Sequence, residues 1–236
     1  MRRVLILSVA LFIALALVVE LLLPAVVARG VAAGLDKIIG PGETVSVQLK
    51  SYPALKMLTG RVDQVTVETT NVQAAGLVID QLTATIDQVS VNLRTLLTKR
   101  QIQSTKSSSL DVKLTISEQN LKQYVLANVK GVKEPRLTIE PGKVTAGGYL
   151  TFNGKDYFVI GDGRFVIKDG RKIGLELTGL KVDDQAIPAG LIGKVMEILG
   201  GTDLFIDMTK FPIPLEAKEV QMNKGSLVII AHGTAK

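Results

Sequence analysis

The stretch Val62-Asp63-Gln64-Val65-Thr66-Val67 recurs as Ile79-Asp80-Gln81-Leu82-Thr83-Ala84 and again as Ile86-Asp87-Gln88-Val89-Ser90-Val91. Each copy reads apolar, Asp, Gln, apolar, hydroxyl, apolar. Alternation of apolar and polar residues is the signature of a half-buried strand. Across each Asp-Gln pair, however, the apolar phase slips by one residue. Such a slip sends the following side chains to the other face of the sheet unless a bulge or bend absorbs it. Three slips in close succession predict strongly bent strands, as in a sheet that curls. Coincidence among residues common in strands is the plainer alternative. The even placement of Asp63, Asp80 and Asp87 fits local bend chemistry better than the converging carboxylates of a glycosidase.

Upstream, Ser51-Tyr52-Pro53-Ala54-Leu55-Lys56-Met57-Leu58 predicts a short helix closing at Gly60, and Val45 and Val47 begin a strand. Pro41-Gly42 ends a preceding helix whose face is Val31, Leu35, Ile38 and Ile39. Downstream, Leu93 to Leu97 resembles one helical turn. A polar, basic stretch follows, with Arg94, Lys99, Arg100 and Lys106. Alternation returns at Leu110, Val112, Leu114 and Ile116. Ser117 is a good N-cap for a helix from Glu118 to about Val129, with Leu121, Tyr124, Val125 and Val129 inward.

The second half reads as hairpins. Turn signals stand at Pro141-Gly142, Asn153-Gly154, Asp169-Gly170 and Asn223-Lys224-Gly225, and Asp162-Gly163 is expected to break the chain. Pro188 opens a helix through Leu199 that Gly200-Gly201 closes. Leu204, Ile206 and Met208 alternate, and Phe211-Pro212-Ile213-Pro214-Leu215 is extended. The sum is roughly a dozen strands and about three helices.

The N-terminus decides the compartment. Arg2 and Arg3 precede an apolar run from Val4 to Val19, which Glu20 interrupts before Leu21 to Ala28 resume it. The run reads as a signal peptide cleaved after Ala28, or as an uncleaved signal anchor. Either places residues 29–236 outside the cytoplasm, as one extracytoplasmic domain on the outer side of the cell membrane or secreted to the envelope. The expected division is 1–28 as signal or anchor and 29–236 as the domain.

Composition narrows the function. Hydrophobic residues are 47% of the 236-residue chain but aromatics only 4%, so the apolar mass is aliphatic and favours sheet. Cysteine is absent and His232 is the single histidine. Thiol catalysis and metal sites built on His or Cys are therefore excluded by count. A Ser-His-Asp arrangement would rest wholly on a histidine near the C-terminus. No Gly-x-Ser-x-Gly elbow and no glycine-rich phosphate loop occur. Asp183-Asp184 fits a solvated turn. The net charge of +6 suits work beside anionic lipid, whereas no basic run is interleaved with aromatics as nucleic acid would require. The expectation is a non-enzyme without cofactors. Aliphatic surface on curled strands can enclose a cavity for acyl chains, or it can be a filled core.

The layout resembles the LmeA family of bacterial phospholipid-binding proteins. The resemblance is carried by the N-terminal apolar segment and by Tyr52-Pro53-Ala54-Leu55 ahead of Leu58-Thr59-Gly60-Arg61-Val62. The stretches Ala75 to Leu82 and Ile86 to Leu93 add to it, as do Phe211 to Leu215 and the closing Gly225-Ser226-Leu227-Val228. It implies an α+β fold, with a β-rich curved sheet wrapped around a helix in the manner of tubular lipid-binding domains. It also implies binding of phospholipid, anionic by expectation, at a membrane and without nucleic acid. It fixes no individual lipid contacts. Arg94, Lys99 and Arg100, following a bent strand, are the residues read from the sequence as a headgroup or membrane face. The alternative function is a structural or adaptor protein that binds a partner through exposed sheet edges.

Overall fold

The computed structural model describes residues 18–32, 45–91, 104–106, 109–128, 132–152, 154–188, 190, 205–211 and 213–233. Helix α1 covers residues 18–32 and α2 Glu118–Asn128. The strands are β1 Val45–Lys50, β2 Arg61–Ala74, β3 Leu77–Val91, β4 Ser104–Lys106, β5 Ser109–Ser117, β6 Val132–Glu140 and β7 Lys143–Phe152. They continue as β8 Lys155–Lys168, β9 Lys172–Val182, β10 Gln185–Ala186, β11 Phe205–Asp207, β12 Leu215–Asn223 and β13 Ser226–Gly233. The protein is thus β-rich, and its strands form two sheets. One has the order β1-β2-β3-β5-β13-β12 with β4 on β3; the other has β10-β9-β8-β7-β6 with β11 on β9. The chain divides into two compact units, and β2, β3 and β5 each pass from one to the other.

The first unit takes residues 1–70, 83–111 and 234–236. Its core joins Val27 and Val31 of α1 to Leu49 of β1, Met57, Val62 and Val65 of β2, and Val89 of β3. Two of the sequence's phase slips fall here. Val62 and Val65 are three residues apart, yet both are buried in this core, so the strand changes phase across Asp63-Gln64. Across Asp87-Gln88, Val89 is buried in this core and the partly buried Ile86 packs against it, and Gln88 takes a left-handed φ of 51°. That residue absorbs the slip as a bulge does. In the second copy, Asp80 and Gln81 keep negative φ, and the strand leaves one unit for the other between Leu82 and Thr83.

The second unit takes residues 71–82 and 112–233. Along β5, Leu110 is buried before the unit boundary and Val112, Leu114 and Ile116 after it, as strict alternation requires. Ser117 caps α2, its Oγ accepting from the Asn120 N–H at 3.3 Å, and Leu121 is fully buried. The Glu118 carboxylate accepts from the Ile139 N–H. The turns at Gly142, Gly154 and Gly225 carry the positive φ values that two-residue hairpins need, and Asp169 and Gly170, also at positive φ, open the three-residue turn between β8 and β9. Tyr149 packs on Phe158 at 5.2 Å between ring centroids, and the Arg136 guanidinium lies 5.3 Å from the Phe158 centroid.

One expectation is corrected. Asp162-Gly163 does not break the chain: β8 runs straight through it, with a shift in register against β9 at that point. Thr145 and Lys143 hold the Asp162 carboxylate at 2.8 and 3.1 Å, and a Cβ on Gly163 would collide with the Glu176 carbonyl oxygen. Glycine is there so that two strands can meet closely. Ile206 and Met208 are both buried with Asp207 between them partly exposed, as alternation requires, although the strand gives way to a 3-10 turn at Met208–Lys210 that Asp207 caps. The expected helix-face residues Leu35, Ile38 and Ile39, the helical turn at 93–97 and the helix at 191–199 lie outside the described residues. Among the described residues no helix is long and apolar enough to cross a membrane.

Candidate functional site

The short segment between β1 and β2 organises the site. Residues Ala54–Thr59 form a 3-10 helix closed by Gly60 at φ 81°. With three residues per turn, side chains three apart lie over one another, so the helix has three faces. Ala54 and Met57 are buried and form the inner face. Leu55 and Leu58 are exposed and form the outer face. Lys56 and Thr59 form the third, which lines a trough.

Two carboxylates hold this helix. The Ala54 N–H is one of the donors that a helix start leaves without an internal partner. It donates to both oxygens of Glu20 on α1, at 2.8 Å each. Asp63, at the start of β2, accepts from the Tyr52 N–H at 2.9 Å and pairs with the Lys56 ammonium at 3.4 Å. The Tyr52 N–H first, then Lys56, hold the Asp63 carboxyl below the ordinary carboxylate range.

The trough has a volume of about 510 Å³ and is lined by Lys56, Thr59, Arg61, Val62, Asp63, Gln88, Val89 and Ser90. That size is within the roughly 300–1,000 Å³ of small-ligand sites. Val62 and Val89 belong to the core of the first unit, so the trough has apolar side chains at its base. Lys56 and Arg61 bring two cations, and Thr59, Gln88 and Ser90 bring hydrogen-bonding groups. Gln88 is at the trough because its left-handed backbone turns β3 there. Guanidinium and ammonium together suit a phosphate, the first as a planar fork and the second as a point charge. Asp63 is held ionised by its donors and serves the segment's geometry rather than standing poised as a general acid.

Arg94, Lys99 and Arg100 lie outside the described residues. The three repeat aspartates do tie neighbouring segments together. Asp80 accepts from the Ser117 N–H at 2.6 Å, and Asp87 accepts from Gln64 at 3.1 Å and from Ser109 at 3.2 Å. Asp183 and Asp184 form a turn at φ 46° and 64°, with Asp183 accepting from the Phe158 N–H at 2.9 Å. Among the described residues no group of His, Cys, Asp or Glu is arranged to hold a metal. His232 sits on β13 opposite Glu216. The sequence points to the segment from Tyr52 to Val62 but not to Lys56 and Arg61 as a pair. They are five positions apart, and only the closing turn at Gly60 brings them to one trough.

No curated protein and no solved structure compared with the chain matches it. The family model described as LmeA-like phospholipid-binding matches residues 18–232. That span runs from α1 through β13, and the chain belongs to the LmeA-like phospholipid-binding family.

Proposed function

We propose that this chain is a non-catalytic phospholipid-binding protein of the bacterial cell envelope, retained at the membrane by its N-terminal apolar run. The phospholipid headgroup occupies the trough of the first unit, its phosphate between Lys56 and Arg61. The observation that carries this is the pairing of two cations with an apolar base of Val62 and Val89, in a chain of a phospholipid-binding family. Lys56 and Arg61 outnumber the single lining carboxylate, Asp63, so anionic lipids are favoured over zwitterionic ones. A curved sheet around a helix, and transfer of the lipid to an acceptor, are the finer parts of the same proposal. The adaptor alternative has less behind it. Strand β12, at one end of the first sheet, carries the Lys218–Glu216 pair and a register shift at Ala217/Glu219. Charges and bulges at an edge oppose strand addition by a partner.

The test is calorimetric titration of the detergent-solubilised full chain with a water-soluble, short-chain phosphatidylglycerol, alongside the phosphatidylcholine of equal chain length. Saturable binding that favours phosphatidylglycerol, and that Arg61→Ser weakens about tenfold or more, is expected. Equal binding by the Arg61→Ser chain would remove the trough as the headgroup site.

A further inference from the structure

We infer that the outer face of the 3-10 helix, with Tyr52 beside it, is a membrane-docking element whose occupant is the surface of an anionic bilayer. Tyr52 is 83% exposed, Leu58 60% and Leu55 46%. Large apolar side chains this exposed are ordinary one at a time, but three within seven residues form a patch. They are not there for want of an inward position, since Ala54 and Met57 on the same helix are 1% and 0% exposed. The segment sorts its residues: small and flexible ones face the core, and large branched and aromatic ones face out.

The patch is held firmly. Glu20 fixes the start of the helix through Ala54, Asp63 fixes Tyr52, and the Gly60 N–H closes the end on the carbonyls of Lys56 and Met57. A tethered display lowers the ordering cost of docking.

Three observations point to a bilayer as the occupant. Exposed cations flank the patch, with Lys50 before it, Lys56 within it and Arg61 after it. Cations beside apolar side chains match the layering of an anionic membrane, headgroups outside and acyl chains within. Tyrosine favours the boundary itself, where its ring is buried and its hydroxyl wet. Finally, Glu20 directly follows the apolar run from Val4 to Val19, and Leu21 and Leu22 beyond it are 77% and 59% exposed. The carboxylate that fixes the 3-10 helix therefore stands at the end of the chain's most membrane-compatible stretch. Docking there would set the mouth of the trough, which shares this helix, against the headgroup layer.

The chain has no cysteine, so single-cysteine variants carry a label at one chosen place. Full-length Leu55→Cys, Leu58→Cys and, as the aqueous reference, Lys224→Cys on the β12–β13 turn would be labelled with bimane. Each would be reconstituted in vesicles of phosphatidylcholine and phosphatidylglycerol in equal parts. The expected result is a blue-shifted emission at 55 and 58, quenching by doxyl-labelled lipid, and several-fold weaker quenching by iodide than at 224. Iodide quenching at 55 and 58 equal to that at 224 would overturn the inference. The outcome is separable from trough occupancy, because the labels at 55 and 58 read immersion in the bilayer, whereas trough binding is read by titration with the soluble short-chain phosphatidylglycerol.

Discussion

Gln64 of the first repeat donates its side-chain amide to the Asp87 carboxylate of the third at 3.1 Å, across β2 and β3. The two residues are 23 positions apart, and each sits at a phase slip. The repeat therefore works as a pair of complementary kinks: where one strand turns its polar residues, the other supplies the partner. Asp87 also accepts from Ser109 on β5. Replacing Asp87 by Ala removes a side-chain acceptor that serves two neighbouring strands, a loss of about 1–3 kcal/mol. A urea denaturation series is expected to show a lower midpoint with little change in slope. An unchanged midpoint would mean that the kinks hold without this carboxylate.

Gln88 holds a left-handed backbone at φ 51° without being glycine. For an ordinary residue that conformation costs roughly 1–2 kcal/mol. Gln88→Gly is therefore expected to match or exceed the wild type in thermal midpoint, whereas Gln88→Val, β-branched, falls below it. The reverse order would show that the side chain, rather than the bulge, matters most at this place.

The Asp63 carboxylate has a folded pKa depressed by the Tyr52 N–H and by Lys56. A depressed carboxylate contributes stability that is fully present above the unfolded pKa of about 3.9 and is lost as pH falls through the folded value. The stability gap between the wild type and Asp63→Ala is thus expected to be constant near neutral pH and to narrow below about pH 4. Thermal melts at a series of pH values would show it; a gap that widened on acidification would contradict the assignment.

Gly163 lies in mid-strand, where a Cβ would run into the Glu176 carbonyl oxygen. Gly163→Ala forces β8 and β9 apart and is expected to cost roughly 1–3 kcal/mol, the range of overpacked substitutions. Gly179→Ala, where nothing lies within 4 Å, is the matched control and should be near neutral. Comparable losses in both would show that the close approach at Gly163 is not the cause, since the backbone-entropy effect of Gly→Ala is itself stabilising.

Local chemistry is legible in the sequence and distant chemistry is not. The β5 alternation, the Ser117 cap, the Gly60 stop and the paired turns each depend on neighbours within a few residues, and each stands where its pattern puts it. Asp162-Gly163 misleads because Asp-Gly is an ordinary turn signal; what keeps the strand going is Thr145 and Lys143 on a neighbouring strand. The division into two units is hidden for a related reason. It runs through the middle of β2, β3 and β5, where strands give no compositional boundary. The trough is hidden because Lys56 and Arg61 flank a turn and look like ordinary surface cations. Glu20 looks like an interruption in an apolar run, and its partner, the Ala54 N–H, is 34 residues away.

The placing of Val27 in the core bears on how the molecule is made. Ala28 packs against that core, so the peptide bond after it lies inside α1. A processing peptidase acts on chain that has opened, not on a docked helix. A cut at Ala28 would carry off both Val27 and Glu20, so the core of the first unit would lose a buried side chain and the Ala54 N–H its acceptor.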